Sequence, residues 1–126
     1  MSVTVVVDAS AVAAVLFDEP EAEPVIASIA DLLTAPNLLL YELANICAAK
    51  IARRPADAHA VLARYALFAQ LDIELVEPDW AGLPTLALDW TVSAYDAAYL
   101  QLALARGAPL VTLDAHLAAV YDKASA

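Results

Sequence analysis

Ser93-Ala-Tyr-Asp96-Ala-Ala-Tyr99, continuing through a helical run to Gly107-Ala-Pro-Leu-Val-Thr-Leu-Asp114, is the stretch that decides how this chain folds. Ala97, Leu100, Ala103 and Leu104 recur at helical spacing, and Gly107 stands where a helix stops. The stretch therefore reads as a helix opening on Asp96, a Gly-Ala-Pro turn, and a short strand over 110–113 that ends on Asp114. Leu110-Val-Thr-Leu113 is apolar enough for a strand covered on both faces. One carboxylate thus falls at a helix N-terminus and another at a strand C-terminus. In an open parallel sheet both ends face the crevice where ligands bind. Acids held side by side repel one another, and a cation between them relieves the repulsion.

Working outward, Val3-Thr-Val-Val-Val7 is β-branched and unbroken, which suits a central parallel strand, and it ends on Asp8. Residues 11–17 read as a short helix with Ser10 or Asp8 as its N-cap. Asp18-Glu-Pro20 breaks it, and 21–33 reads as a second helix whose inner face is Val25, Ile26, Ile29, Leu32 and Leu33. Residues 34–36 end a second strand, and Asn37 caps a helix over 38–53 that carries Glu42 and Asn45 on one face. Residues 56–71 form a further amphipathic helix with Val61, Leu62, Tyr65 and Phe68 as its stripe. Ile73-Glu-Leu-Val76 alternates as a third strand, 79–89 is helical with interruptions at Gly82 and Pro84, and 115–121 is a last helix. Strands alternating with helices make this an α/β protein with a parallel sheet. Trp80, Trp90, Tyr65 and Phe68 read as core, and Cys47 as a small core hydrophobe.

The 126 residues fit one domain, 1–126, and a composition that is 63% hydrophobic argues against disorder. A mean hydropathy of +0.67 favours an apolar face covered by a partner. The apolar N-terminal run has no Lys or Arg before Lys50 to make a signal peptide, and Asp8 interrupts any membrane span. A cytoplasmic protein is expected, and the lone Cys47 agrees with a reducing compartment. Sixteen acids against six Lys plus Arg give a formal charge of −10, so bulk electrostatics repel nucleic acid. Chemistry on nucleic acid would have to work through a bound metal and a few local cations. The same charge suits a basic protein partner.

Most of the acids read as solvated charge, but four do not. Asp8 ends the first strand, Asp114 the last, Asp96 opens a helix and Glu42 lies in the first turns of another. All four map to the C-terminal edge of the sheet. Helix capping explains Asp8 or Asp96 singly, but not four carboxylates at one edge. Hard oxygen ligands without a Cys or His cluster select Mg²⁺ or Mn²⁺ over zinc. The chemistry open to such an ion is hydrolysis of a phosphate ester by an activated water attacking in line.

Val-Val-Asp8-Ala-Ser10, Leu-Leu-Leu-Tyr-Glu42-Leu-Ala-Asn45, Tyr95-Asp96-Ala-Ala-Tyr99 and Leu-Val-Thr112-Leu-Asp114 together resemble the PIN domain, and within it the VapC-type toxin ribonucleases. The resemblance covers nearly the whole chain. It implies a PIN-like three-layer α/β/α domain with a central parallel sheet and a Mg²⁺- or Mn²⁺-dependent endoribonuclease acting on RNA. It also implies a homodimer held inactive by a VapB-like antitoxin. Carried over by position, Asp8, Glu42, Asp96 and Asp114 match the acidic set. Asp8, Asp96 and Asp114 would hold the metal, and Glu42 would orient or deprotonate the attacking water or help to hold a second ion. Ser10 and Thr112 fall where the family often has a hydroxyl, and Asn45 matches a common polar position. Many relatives carry a further acid or an aromatic just after the last motif Asp, whereas here Ala-His116-Leu117 follows Asp114.

Each supporting residue also has a plainer reading. Ser10 serves as a cap, Thr112 supplies strand propensity, and Asn45 in mid-helix is costly enough to point to a role. His116 and His59 read as surface residues. Lys50, Arg53, Arg54 and Arg64 either guide RNA or pair with neighbouring acids. A haloacid-dehalogenase-type phosphatase needs a second Asp where Ser10 stands, and a receiver domain needs an acidic pair near the first strand and a lysine after the last, for which neither Lys50 nor Lys123 is placed. The remaining rival is a PIN-like scaffold that binds partners without cleaving RNA.

Overall fold

The computed structural model describes residues 3–28 and 32–126. Its centre is a four-stranded, all-parallel sheet of β1 (Thr4–Val7), β2 (Leu32–Pro36), β3 (Ile73–Val76) and β4 (Leu110–Val111), in the order β3-β2-β1-β4. Val6 aligns with Thr34 of β2 on one side and Leu110 of β4 on the other. Val5, Val6 and Val7 are all buried, as expected for an inner strand covered on both faces. The strand order reverses at β1, so a crevice opens between the C-terminal ends of β1 and β4.

Among the described residues, seven α-helices flank the sheet: α1 (Ala9–Leu16), α2 (Ala22–Ser28), α3 (Leu39–Arg53), α4 (Ala58–Ala66), α5 (Leu83–Trp90), α6 (Ala94–Arg106) and α7 (Ala115–Ala124). α6 packs on β1, β2 and β4, with α5 and α7 against it, while α1 packs on α2 and α3. Ala97, Ala98 and Ala103 are fully buried: Ala103 packs into the core with the β1 valines, while Ala97 and Ala98 pack with Leu83, Leu86 and Ala87 of α5. Gly107 ends α6 in the left-handed conformation (φ 57°), which glycine adopts without a Cβ penalty. Tyr99, Leu39, Leu43 and the β1 valines share one core with Val12, Leu102 and Ala103. Among the described residues no helix is long and apolar enough to cross a membrane.

Several elements differ from the sequence reading. The second helix is described over Ala22–Ser28, residues 29–31 lie outside the described residues, and Leu32 and Leu33 belong to β2, not to a helix face. Val25 is buried as expected, Ile26 is exposed, and Ile29 lies outside the described residues. The expected helix over 56–71 is broken into 3-10 turns at Pro55–Asp57 and Leu67–Gln70 around α4. Tyr65 and Phe68 still reach the core, but Leu62 is exposed. Leu38, not Asn37, occupies the N-cap of α3 and makes no side-chain cap bond; the Asn37 amide instead donates to the Val76 carbonyl. Pro84 sits in the first turn of α5, where its missing N–H costs nothing. Trp80 is 61% exposed, its indole donating to Glu77, so it is not a core residue. β4 is only two residues long and half-buried at the sheet edge, because the chain turns away at Thr112.

Candidate active site

Asp8 follows β1 directly and caps α1, its Oδ1 accepting the Ala11 amide at 3.0 Å. The same oxygen accepts the Ser10 hydroxyl at 2.7 Å, and Oδ2 accepts the Thr112 hydroxyl. Each hydroxyl also accepts a backbone amide, Ser10 from Leu113 and Thr112 from Asp114. The two side chains therefore tie the β1–α1 turn to the β4–α7 turn and fix Asp8 between them. Capping and site placement are both properties of this one residue. Asp8 is only 6% exposed, and burial, helped by the negative charge of Asp114, raises its carboxyl above the usual range despite three donors.

The other acids arrive from separate elements. Asp96 lies in the first turn of α6, behind an N-cap made by Ser93, whose hydroxyl accepts the Asp96 amide at 3.0 Å. Asp114 caps α7, accepting the amides of His116 and Leu117 at 2.9 and 3.1 Å. Glu42, in the first turn of α3, accepts the Tyr99 hydroxyl at 2.6 Å. Burial raises both Asp96 and Glu42, Asp96 further through Asp114 and Asp8, and Glu42 further through Asp96 and Asp8. The charge of Asp114 thus reaches Asp8 and Asp96, and the charges of Asp8 and Asp96 reach Glu42. None takes part in an ion pair with Lys or Arg among the described residues.

Asn45 stands one turn beyond Glu42 on the exposed side of α3 and lines a neighbouring cleft with Ser10 rather than touching the acids. His116 bonds the Thr91 carbonyl through Nε2 at 3.2 Å, and His59 is exposed. Tyr99 was not singled out for a role by the sequence reading. Its ring is fully buried, and burial followed by the Glu42 bond holds its hydroxyl protonated well above the ordinary tyrosine value. The available signal was its position one helical turn after Asp96, since a buried phenol needs an acceptor.

Among the described residues, no three His, Cys, Asp or Glu side chains close on a common point as a ready-made metal cage would. The donor set fits a different kind of ion. Mg²⁺ keeps much of its water and takes one or two carboxylates directly, and these carboxylates repel one another and make no ion pair with Lys or Arg among the described residues, although His116 partly offsets the charge at Asp96.

A four-stranded, all-parallel sheet flanked by helices, with an acid directly after β1, is the architecture of the class of PIN domains. The chain belongs to that family: the PIN domain model matches residues 5–123. PIN domains are generally metal-dependent nucleases acting on nucleic acid. The fold is similar to that of PAE2754 from Pyrobaculum aerophilum, whose crystal structure superposes with a TM-score of 0.75 at 25% identity. That alignment covers 95% of this chain and 87% of the other. No curated protein matches the sequence at a significant level.

Proposed function

We propose that this PIN domain is a Mg²⁺- or Mn²⁺-dependent endoribonuclease and the toxin of a VapBC-type pair. The observation that carries the reading is that the charge of Asp114 reaches Asp8 and Asp96, and that of Asp8 and Asp96 reaches Glu42, with none of the four paired to Lys or Arg among the described residues. Asp8, Asp96 and Asp114 would hold the ion, directly or through water. When bound, it supplies charge neutralisation on the phosphate and acidifies a nearby water. Ser10 and Thr112 keep Asp8 oriented. Glu42, held by the Tyr99 hydroxyl, takes the proton of the attacking water.

The toxin assignment rests on the motif resemblance and on chain chemistry. A formal charge of −10 complements a basic, VapB-like antitoxin. Tyr41 and Leu88, 79% and 81% exposed, offer apolar area to that partner or to a second copy in a homodimer. The alternative is a PIN-like scaffold that binds partners without cleaving RNA. Magnesium-dependent cleavage of a structured RNA separates the two. Cleavage by the wild type should be lost in Asp8→Asn and Asp96→Asn, and Glu42→Gln should slow it roughly a hundred- to ten-thousand-fold. A wild type that neither cleaves RNA nor binds either ion would establish the scaffold. Sequencing of RNA ends after induction in cells, with Asp8→Asn as control, identifies the target.

A further inference from the structure

A cleft of about 550 Å³ begins at Ser10 and Leu113, on the rim of the acid site, and runs beside α3 past Asn45 to Lys50 and Arg53. It shares Lys50 and Arg53 with a second depression of about 430 Å³, which Arg54 also lines. Glu42, Asn45, Ala49 and Arg53 are spaced three and four residues apart, so they follow one stripe of α3. From Glu42 to Arg53 that stripe is about 16 Å long, room for several nucleotides stacked at roughly 3.4 Å each.

The charge distribution gives this path a direction. Lys50, Arg53, Arg54 and Arg64 are four of only six Lys and Arg in the chain. Arg54 is engaged by Asp57 and Arg64 by Asp18. Lys50 stands 3.7 Å from Glu19 and over the Phe17 ring, which fixes its ammonium on the cleft wall. Arg53 makes no ion pair among the described residues, although Glu21 lines the same cleft. Cations in the last turn of α3 also complement its dipole, but that accounts for their presence and not for a cleft joining them to Ser10.

We propose that this cleft is the track of a single RNA strand beside the cleaved bond, with Arg53 gripping a backbone phosphate and Asn45 and Lys50 flanking it. The inference rests on the nuclease reading and adds where the substrate lies. Its test is anisotropy of a labelled single-stranded RNA oligonucleotide on the full chain carrying Asp8→Asn, which blocks cleavage. Adding Arg53→Ala should weaken binding roughly five- to tenfold and lower the slope of log K against log salt by about 0.7. Arg53→Glu should weaken it further, and Lys123→Ala should leave it unchanged. In the chain with Asp8 intact, Arg53→Ala should raise KM and keep kcat within about twofold. Unchanged affinity and salt slope in Arg53→Glu, with wild-type cleavage intact, would overturn the track and leave the nuclease reading standing. A wild type that neither binds nor cleaves RNA would remove both.

Discussion

The hydroxyl of Tyr99 donates a 2.6 Å hydrogen bond to Oε1 of Glu42, joining α6 to α3 across the candidate active site. Tyr99 is 1% exposed and its ring is part of the main core, so the phenol has no freedom to follow Glu42 elsewhere. The core thereby sets the position of a carboxylate that faces solvent on its other side. Tyr99→Phe keeps the packing and removes only the donor. It should cost about 1–3 kcal/mol, since hydrogen bonds to charged groups lie in that range, and lower Tm by several degrees. The lost donor also pushes Glu42 further toward its protonated form. The pH below which RNA cleavage falls should therefore move upward in the variant, which a pH–rate profile measures.

Thr112 offers a second check on how the site is held. Its hydroxyl donates to Asp8 Oδ2 and accepts the Asp114 amide, so it serves two of the four acids. Thr112→Val keeps the shape and leaves Oδ2 of a buried carboxylate without that donor. Stability should fall by about 1–3 kcal/mol, and cleavage at fixed Mg²⁺ should drop with it. Ser10→Ala, which removes the parallel bond to Oδ1, should produce a similar loss. Thermal melts and initial rates on both variants measure these effects.

The residues that were legible and those that were not differ in how local their partners are. Asp8 was readable because an acid after a β-branched strand and before a helix has a local reason to be there, the Ala11 amide it caps. The central placement of β1 followed from an unbroken valine run that only a doubly covered strand accommodates. Leu32 and Leu33 were misassigned because they continue a helical period from Val25, and a leucine pair fits helix or strand. β4 came out shorter than its apolar run because Thr112 turns its hydroxyl to Asp8 instead of continuing the strand. Tyr99 was invisible in its role because Glu42 lies 57 positions earlier, on another helix. Residue type alone points Trp80 to the core, whereas its indole N–H finds Glu77 at the surface.

The raised carboxyls also fix the sign of a pH effect on the metal-free protein. Asp8, Glu42 and Asp96 bind protons more tightly when folded than when unfolded, so ionising them opposes folding. Their contribution to stability is fully present below the ordinary values of 3.8 for Asp and 4.5 for Glu, and it is lost as pH rises through the folded values above these. Glu74 works the other way. Its bond to Arg106 lowers its carboxyl, so its contribution is present above 4.5 and fades as pH falls through the lower folded value. Asp96→Asn isolates the first group. In the presence of a chelator it should raise Tm near neutral pH, with a gain that shrinks toward pH 4. A gain independent of pH would show that repulsion among the acids is not its source.

Divalent ions should reverse the same repulsion from the other side. Bound Mg²⁺ or Mn²⁺ stabilises the folded chain by mass action, about 2.7 kcal/mol at a hundredfold excess over Kd, and Tm should rise with ion concentration. Protons compete for the same oxygens, so the shift should weaken as pH falls into the range where Asp8, Glu42 and Asp96 protonate. Asp96→Asn combined with Asp114→Asn should abolish it. Asparagine still caps α7 at position 114, and the α6 cap is made by Ser93, so the double variant keeps both helix starts. A melt series in chelator, Mg²⁺ and Mn²⁺ on the wild type and the double variant measures the effect. An equal shift in both proteins would place the ion elsewhere on this acidic chain, and no shift in the wild type would show that the four carboxylates do not form a metal site.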